Sequence, residues 1–126
     1  MIFVIGGYAQ GKTEYVKREY KMDDECFYTG DLENVTNTNK RLVINHFNDI
    51  AYEYFLNKTD IMPLLNKIIL DCSDCIIIST EIGNGIVPVD KEQREYREWM
   101  GRIQTYIASK AQHVVRVTCG IGQIIK

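Results

Sequence analysis

Short apolar runs alternate with amphipathic stretches along this chain, and the alternation predicts a sheet flanked by helices. The first run, Ile2–Ile5, is rich in β-branched residues and stops at a glycine pair, which is typical of a buried strand. A continuous apolar run at Cys75–Ser79 has the composition of a central strand in a parallel sheet. Between them, apolar residues from Ile61 to Cys72 recur with the spacing of one helix face. Strands that alternate with helices in this way favour a parallel α/β sheet.

The rest of the chain extends this pattern. A helix is expected from Lys12 to about Tyr20, and Asp90, with Gln93 three positions later, should cap a long helix that ends near Lys110. Further strands are predicted at 25–29, 41–45, 114–118 and 121–125, a further helix at 48–56, and loops at 31–40 and 82–89. The last two strands are close enough in sequence to form a C-terminal β-hairpin.

A glycine-rich run after the first strand matches the Walker A pattern Gly-x-x-x-x-Gly-Lys-Thr. Its glycines let backbone N–H groups curl around phosphate oxygens, and the helix that begins at Lys12 directs its positive dipole end at the same anion. Lys12 is a candidate catalytic cation for the outer phosphates, and the Thr13 hydroxyl is a candidate ligand of Mg²⁺. The predicted nucleotide-binding residues are Gly6, Gly7, Tyr8, Ala9, Gln10, Gly11, Lys12 and Thr13.

These elements predict one domain, residues 1–126, with a P-loop NTPase-like α/β fold. We expect a mostly parallel central sheet flanked by helices, with the β-hairpin at the C-terminal end. The predicted cofactors are Mg²⁺ and either ATP or GTP, between which the sequence does not discriminate.

An acid that works with Thr13 on Mg²⁺ should follow a neighbouring strand. Glu81 follows the central strand, at the edge where such sheets bind ligands, and is our predicted catalytic and metal-binding acid. The alternative for Glu81 is a carboxylate that caps backbone N–H groups at the start of a loop. Asp71 keeps helical spacing with the apolar residues before it, and Asn45, which ends the third strand, is neutral.

A second nucleotide signal is the run Asn57-Lys58-Thr59-Asp60, which matches the guanine-specificity signature of GTPases. Here it follows a predicted helix rather than a strand, and no Asp has the Gly three positions later that a GTPase switch requires. We therefore interpret it as a helix connection in which Thr59 or Asp60 caps the next helix. Arginines along the long helix could stabilise a transferring phosphoryl group, although a solvated helix face is the commoner explanation: Arg94, Arg97 and Arg102.

Composition excludes several other functions. The net charge is −2 and no basic block occurs, which argues against nucleic acid as a partner. No apolar stretch approaches the length of a membrane span, and no targeting signal is recognisable, so we expect a cytoplasmic protein. Cys72 and Cys75 form a Cys-x-x-Cys pair without the second pair that a structural zinc site needs, and we expect ordinary thiols.

Two segments together resemble the adenosylcobinamide kinase / adenosylcobinamide-phosphate guanylyltransferase family. Residues 1–13 are similar to the family's short apolar strand running into Gly-Gly-x-x-x-Gly-Lys-Ser. The run Thr80-Glu81-Ile82-Gly83-Asn84-Gly85-Ile86-Val87-Pro88 resembles its Asn-Glu-Val-Gly-x-Gly-Ile-Val-Pro loop, which is far more selective than a P-loop alone. Residues at the family's helix spacing and its closing segment follow: Arg94, Tyr96, Arg97, Gly101, Arg102 and residues 120–126.

The resemblance implies a bifunctional enzyme of cobalamin biosynthesis. Members phosphorylate the aminopropanol hydroxyl of adenosylcobinamide with ATP or GTP, and then transfer GMP from GTP to the new phosphate through a guanylylated histidine. The implied partners are a nucleoside triphosphate, a corrinoid substrate and further copies of the chain, as in a trimer.

The middle of the chain departs from the family pattern. The polar segment 31–40 runs almost directly into the third strand, so the family's histidine segment is interpreted as deleted. Asn45 stands where the family has an acid, and His46, the histidine nearest this position, is interpreted as a polar strand-end residue rather than a guanylylation site. The kinase step is therefore favoured over the guanylyltransferase step. Two alternatives remain: a P-loop kinase or NTPase for another small molecule, and a nucleotide-binding protein without turnover.

Overall fold

The computed structural model describes residues 1–28, 41–82 and 90–126 of the chain. Its strands are β1 (Ile2–Gly6), β2 (Phe27–Tyr28), β3 (Val43–Ile44), β4 (Ile76–Thr80), β5 (His113–Thr118) and β6 (Ile121–Ile124). Its helices are α1 (Lys12–Tyr20), α2 (Phe47–Leu56), α3 (Met62–Asp71) and α4 (Lys91–Lys110), and a short 3₁₀ helix spans Asp24–Cys26. The predicted loop at 31–40 and most of that at 82–89 lie outside the described residues.

The described strands form one sheet in the order β2-β3-β4-β1-β5-β6. β1 lies between β4 and β5 and runs parallel to both, so that Val4 is opposite Ile78 on one side and Val115 on the other. β6 pairs antiparallel with β5, as predicted for the hairpin.

Helices cover both faces of this sheet, which explains why its central strands are continuously apolar. Successive side chains of a strand point to opposite faces. Phe3 therefore packs in a cluster with residues of α2, α3 and α4, such as Phe47, whereas Val4 packs with Val16 of α1. Phe3 and Val4 are only 1% and 0% exposed, respectively. The predicted P-loop NTPase-like α/β fold is confirmed.

Two strands are shorter than predicted. The expected strand at 25–29 begins as a 3₁₀ helix, and only Phe27–Tyr28 pair with β3 in the described part of the chain. The expected strand at 41–45 is reduced to Val43–Ile44, although the Asn45 N–H still donates to the Tyr28 carbonyl at 2.9 Å. The paired part of β2 and β3 is therefore only two residues long, half-buried in β2 and buried in β3.

The helix boundaries follow the predicted signals more closely. α1 spans Lys12–Tyr20, as expected, and Asp90 caps α4. The Asp90 carboxylate accepts a hydrogen bond from the Glu92 N–H at 2.9 Å, which is the donor one position before the expected Gln93. Among the described residues, no helix is long and apolar enough to cross a membrane.

The cysteines are free thiols, as expected. Cys75 is buried directly before β4, and this burial raises the pKa of its thiol to about 11. In the described residues no group of three or more His, Cys, Asp or Glu side chains is arranged to hold a metal ion. Cys75 belongs to the hydrophobic core cluster, and Cys72 packs against that cluster.

Candidate nucleotide site

The loop between β1 and α1 has the backbone shape that a phosphate cradle requires. Ala9 and Gly11 adopt left-handed conformations, with φ of 55° and 83°, and Gly11 is the N-cap of α1. Left-handed residues within such a turn let successive N–H groups face one concavity, which is how backbone amides bind anions. The helix N-terminus adds its positive dipole end at the same place.

Lys12 is held inside this loop. Its ammonium group donates a hydrogen bond to the Gly7 carbonyl at 2.6 Å. Burial lowers the pKa of Lys12, and the negative charge of Glu81 opposes that shift. The ammonium group is thus partly desolvated, and an incoming phosphate would restore the interactions that burial removes.

The side chain of Thr13 contacts Asn45, the residue that follows β3. Its hydroxyl lies 3.4 Å from Asn45 Oδ1 and 3.3 Å from Asn45 Nδ2. The same Oδ1 accepts a hydrogen bond from the His46 N–H at 3.0 Å, and Asn45 is only 7% exposed. The amide of Asn45 is therefore fixed against the residue predicted to face Mg²⁺.

Glu81 follows β4, at the carboxyl edge of the sheet, as predicted. Its N–H donates to the Gly6 carbonyl at 2.8 Å, which places it beside the start of the phosphate loop. Its carboxylate pairs with Arg116 of β5 at 3.0 Å and 3.2 Å, and its side chain is only 17% exposed. Glu81 therefore lies near Lys12, on the side of the loop that faces β5.

A cavity of about 430 Å³ opens in front of the phosphate loop. Residues 8–14 line one side of it, the end of β4 at 78–80 lines its base, and the start of α2 closes the other side. The residues from the β3–α2 connection are Asn45, His46, Asn48 and Asp49. The cavity therefore joins the predicted nucleotide-binding residues from Tyr8 to Thr13 to polar side chains after β3.

Several contacts around this cavity were not predicted from the sequence. The Asn48 side chain accepts a hydrogen bond from the Thr80 N–H at 3.2 Å, which ties the first turn of α2 to β4. The Gln104 side-chain amide donates to Ser79 Oγ at 3.0 Å and to the Thr80 carbonyl at 2.8 Å. The polar cluster directly after a buried strand was a usable signal for Asn48 and Asp49, because strand ends of a parallel sheet meet at one edge.

Other predicted candidates lie apart from this cavity. The run 57–60 connects α2 to α3, and Asp60 accepts a hydrogen bond from the Met62 N–H at 3.0 Å, in agreement with its interpretation as a helix connection. Asp71 is the last residue of α3, as expected. Arg102 pairs with Glu98 one turn earlier on the exposed face of α4.

Known proteins are similar to parts of this sequence. Residues 32–125 match the family model described as cobinamide kinase / cobinamide phosphate guanyltransferase. The bifunctional adenosylcobalamin biosynthesis protein CobU of Escherichia coli (strain K12) is 29% identical over 102 residues, which cover 75% of this chain and 56% of that protein. The CobU protein of Salmonella typhimurium (strain LT2) is 30% identical over 79 residues, covering 60% and 44% respectively.

The chain spans about half the length of these curated relatives. The family match begins after the loop between β1 and α1, so it does not cover the predicted nucleotide-binding residues. Because the match covers well over half of the chain, this protein belongs to the cobinamide kinase / cobinamide phosphate guanyltransferase family.

Proposed function

We propose that this protein binds a nucleoside triphosphate in its P-loop and transfers a phosphoryl group to the hydroxyl of a corrinoid, adenosylcobinamide. The observation that carries the proposal is the cavity that joins the phosphate loop to the ends of β3 and β4 in a member of this family. Such an arrangement supplies positioning and charge stabilisation, which account for most of catalysis in phosphoryl transfer.

In this proposal Lys12 changes partner when nucleotide binds. Its ammonium group leaves the Gly7 carbonyl and donates to the outer phosphate oxygens. The backbone amides of residues 8–13 hold the inner phosphates, and Thr13 orients the nucleotide from the first turn of α1. The negative charge of Glu81 opposes the lowering of the lysine pKa by burial and so favours the charged form of Lys12.

Mg²⁺ fits the donors around Thr13. The hydroxyl of Thr13 and the amide oxygen of Asn45 are hard oxygen ligands of the kind that Mg²⁺ selects. Thr13 and Glu81 are the residues proposed to hold the ion, which when bound would neutralise charge on the phosphates. Both carboxylate oxygens of Glu81 already contact Arg116. A further acid near Thr13 would therefore strengthen the binding of Mg²⁺.

The proposal stops at phosphoryl transfer. His46 lines the cavity at the N-cap of α2, but the family's histidine segment has no counterpart in our reading of residues 31–40. With α-labelled GTP, we expect no acid-labile label on the protein. Acid-labile label that is found on the wild type and is absent from His46→Ala would contradict the claim that the protein forms no guanylylated histidine.

The kinase proposal is tested by phosphate transfer from ATP and from GTP to adenosylcobinamide. We expect transfer by the wild type and a loss of at least about a hundredfold in Lys12→Ala. Lys67→Ala is the matched control, because Lys67 is an exposed lysine of α3 away from the cavity. Nucleotide hydrolysis without transfer to the corrinoid would instead indicate a kinase or NTPase for another small molecule.

A second candidate function is nucleotide binding without turnover. Asn45 favours it, because a neutral amide occupies the position beside Thr13 where an acid would help to hold Mg²⁺. Tight binding of ATP or GTP with neither transfer nor hydrolysis would support this function over the kinase.

A further inference from the structure

Asp49 occupies the part of the cavity where the site lacks a negative charge. It lies in the first turn of α2, where its N–H donates to the His46 carbonyl at 2.9 Å. Asp49 lines the same cavity as Thr13 and Asn45. Asp49 is four positions after Asn45, and it brings an exposed carboxylate to the end of β3.

The first turn of α2 is held in place on several sides. The Asn48 side chain accepts from the Thr80 N–H at 3.2 Å, and the Asn48 carbonyl accepts from the Tyr96 hydroxyl at 3.2 Å. The Asn48 amide group also donates to Asp49 Oδ1 at 3.2 Å. Asp49 is therefore presented by a fixed backbone and oriented by its neighbour.

The negative charge of Asp49 also acts on Tyr96 of α4. The pKa of the Tyr96 hydroxyl rises to about 12, mainly through burial and further through the negative charge of Asp49. The other acid that lines the described cavity, Glu14, lies on α1 and is paired with Lys17 at 3.8 Å. Among the described lining residues, Asp49 is thus the acid on the Asn45 side.

We propose that Asp49 is a further metal-facing carboxylate of this site, in addition to Glu81, and that it supplies from α2 the negative charge that Asn45 does not supply from β3. The inference rests on the proposed binding of a Mg²⁺–nucleotide complex. An oxygen-rich set comprising a hydroxyl, an amide oxygen and a carboxylate is the donor chemistry that Mg²⁺ prefers. Asp49 would act on the ion directly or through a bound water, since Mg²⁺ usually keeps several waters.

The test measures nucleotide affinity with Mg²⁺ and with a chelator, by calorimetric titration of a non-hydrolysable ATP or GTP analogue. The ratio of the dissociation constant in chelator to the dissociation constant in Mg²⁺ reports the contribution of the metal to binding. We expect a ratio above one for the wild type and a fall of about tenfold in Asp49→Asn, the usual size for a lost supporting carboxylate. Affinity in chelator, which depends on Lys12 and the loop amides, should change little.

Two further variants make this result specific. Asp71→Asn removes an exposed carboxylate at the end of α3 and should keep the wild-type ratio. The double variant Asn45→Asp, Asp49→Asn returns the charge to the position beside Thr13 and should restore the ratio. Thermal unfolding followed by circular dichroism checks that each variant is folded.

The outcomes separate this inference from the proposed function. A wild-type protein that binds neither analogue, with or without Mg²⁺, overturns the proposed function and this inference with it. A wild type that binds with a ratio near one, or an Asp49→Asn variant that keeps the wild-type ratio, overturns this inference alone.

Discussion

Gln10 and Cys119 are joined by a hydrogen bond of 2.8 Å, in which the Gln10 side-chain oxygen accepts from the Cys119 N–H. The Gln10 carbonyl also accepts from the Gly120 N–H at 2.8 Å. Gly11 lies close to the same turn: a Cβ added at Gly11 would be 3.3 Å from the Gly120 Cα. The turn between β5 and β6 therefore holds the phosphate loop in place through contacts with Gln10 and Gly11.

We expect Gln10→Ala to loosen the phosphate loop. The variant loses one hydrogen bond to an exposed turn, which should lower the free energy of unfolding by about 0.5–1 kcal/mol. Nucleotide affinity should fall several-fold, because the loop amides are less well ordered before binding. Urea unfolding and calorimetric titration measure the two effects. Gln93→Ala, on the exposed start of α4, is the control that should change neither.

Lys12→Met should abolish nucleotide binding without destabilising the fold. Burial lowers the pKa of Lys12 below its ordinary value of 10.5, so the charged form is disfavoured in the folded state. Between the folded pKa and 10.5 the unfolded chain binds more protons, and the contribution of Lys12 to stability therefore rises with pH in that window. The variant should be at least as stable as the wild type at neutral pH.

The pH dependence is the sharper part of this prediction. The stability advantage of Lys12→Met over the wild type should shrink as the pH rises toward 10.5, because the wild-type lysine loses its proton in the folded state below its ordinary pKa. Chemical denaturation of both proteins across the alkaline range measures this difference. A variant that is markedly less stable at neutral pH would show that Lys12 supports the fold.

A pair of glycine substitutions should separate the site from the scaffold. A Cβ at Gly6 would lie 2.5 Å from the Val117 carbonyl oxygen, a backbone atom with no room to move. Gly6→Ala should therefore cost at least about 2 kcal/mol and distort the phosphate loop. Gly101 lies inside α4 with nothing within 4 Å of an added Cβ. Gly101→Ala should stabilise the protein by about 0.5–1 kcal/mol, and equal effects in denaturant melts would contradict the structure.

The thiols should differ widely in reactivity. Cys119 is exposed at the hairpin turn, whereas Cys75 is buried and the pKa of its thiol is raised to about 11. The thiolate is the reactive form, so iodoacetamide at mildly alkaline pH should label Cys119 first and Cys75 last. Peptide mass spectrometry follows the order, and Cys119→Ser should remove the fast phase. Early labelling of Cys75 would indicate that the end of α3 opens readily.

The sequence predicts the sheet, the phosphate loop and α1 because each depends on local pattern. Apolar runs such as that in β4 and glycines at fixed spacing are visible without knowledge of neighbours. The partner of Glu81 is not predictable in this way. Arg116 reaches Glu81 because β5 lies beside β1 and β1 beside β4, and this strand order is a property of the whole sheet.

The same limit applies to the other side of the site. The contact between Thr13 and Asn45 joins α1 to the end of β3, two elements that lie far apart in the sequence. Asn48 and Asp49 were not predicted, because they do not directly follow a strand and instead lie in the first turn of α2. The first turn of the helix that follows a strand also faces the carboxyl edge of a parallel sheet, where ligands bind.

The central place of β1 in the sheet has a consequence for how the protein forms during synthesis. Its neighbours, β4 and β5, come from residues 76–80 and 113–118, so β1 leaves the ribosome well before either of the strands that pair with it. Long-range pairing of this kind folds slowly and leaves apolar edges uncovered meanwhile. The phosphate loop can therefore gain its contacts with the β5–β6 turn only after β5 and β6 have joined the sheet. A nascent chain halted before that point should be unable to retain nucleotide.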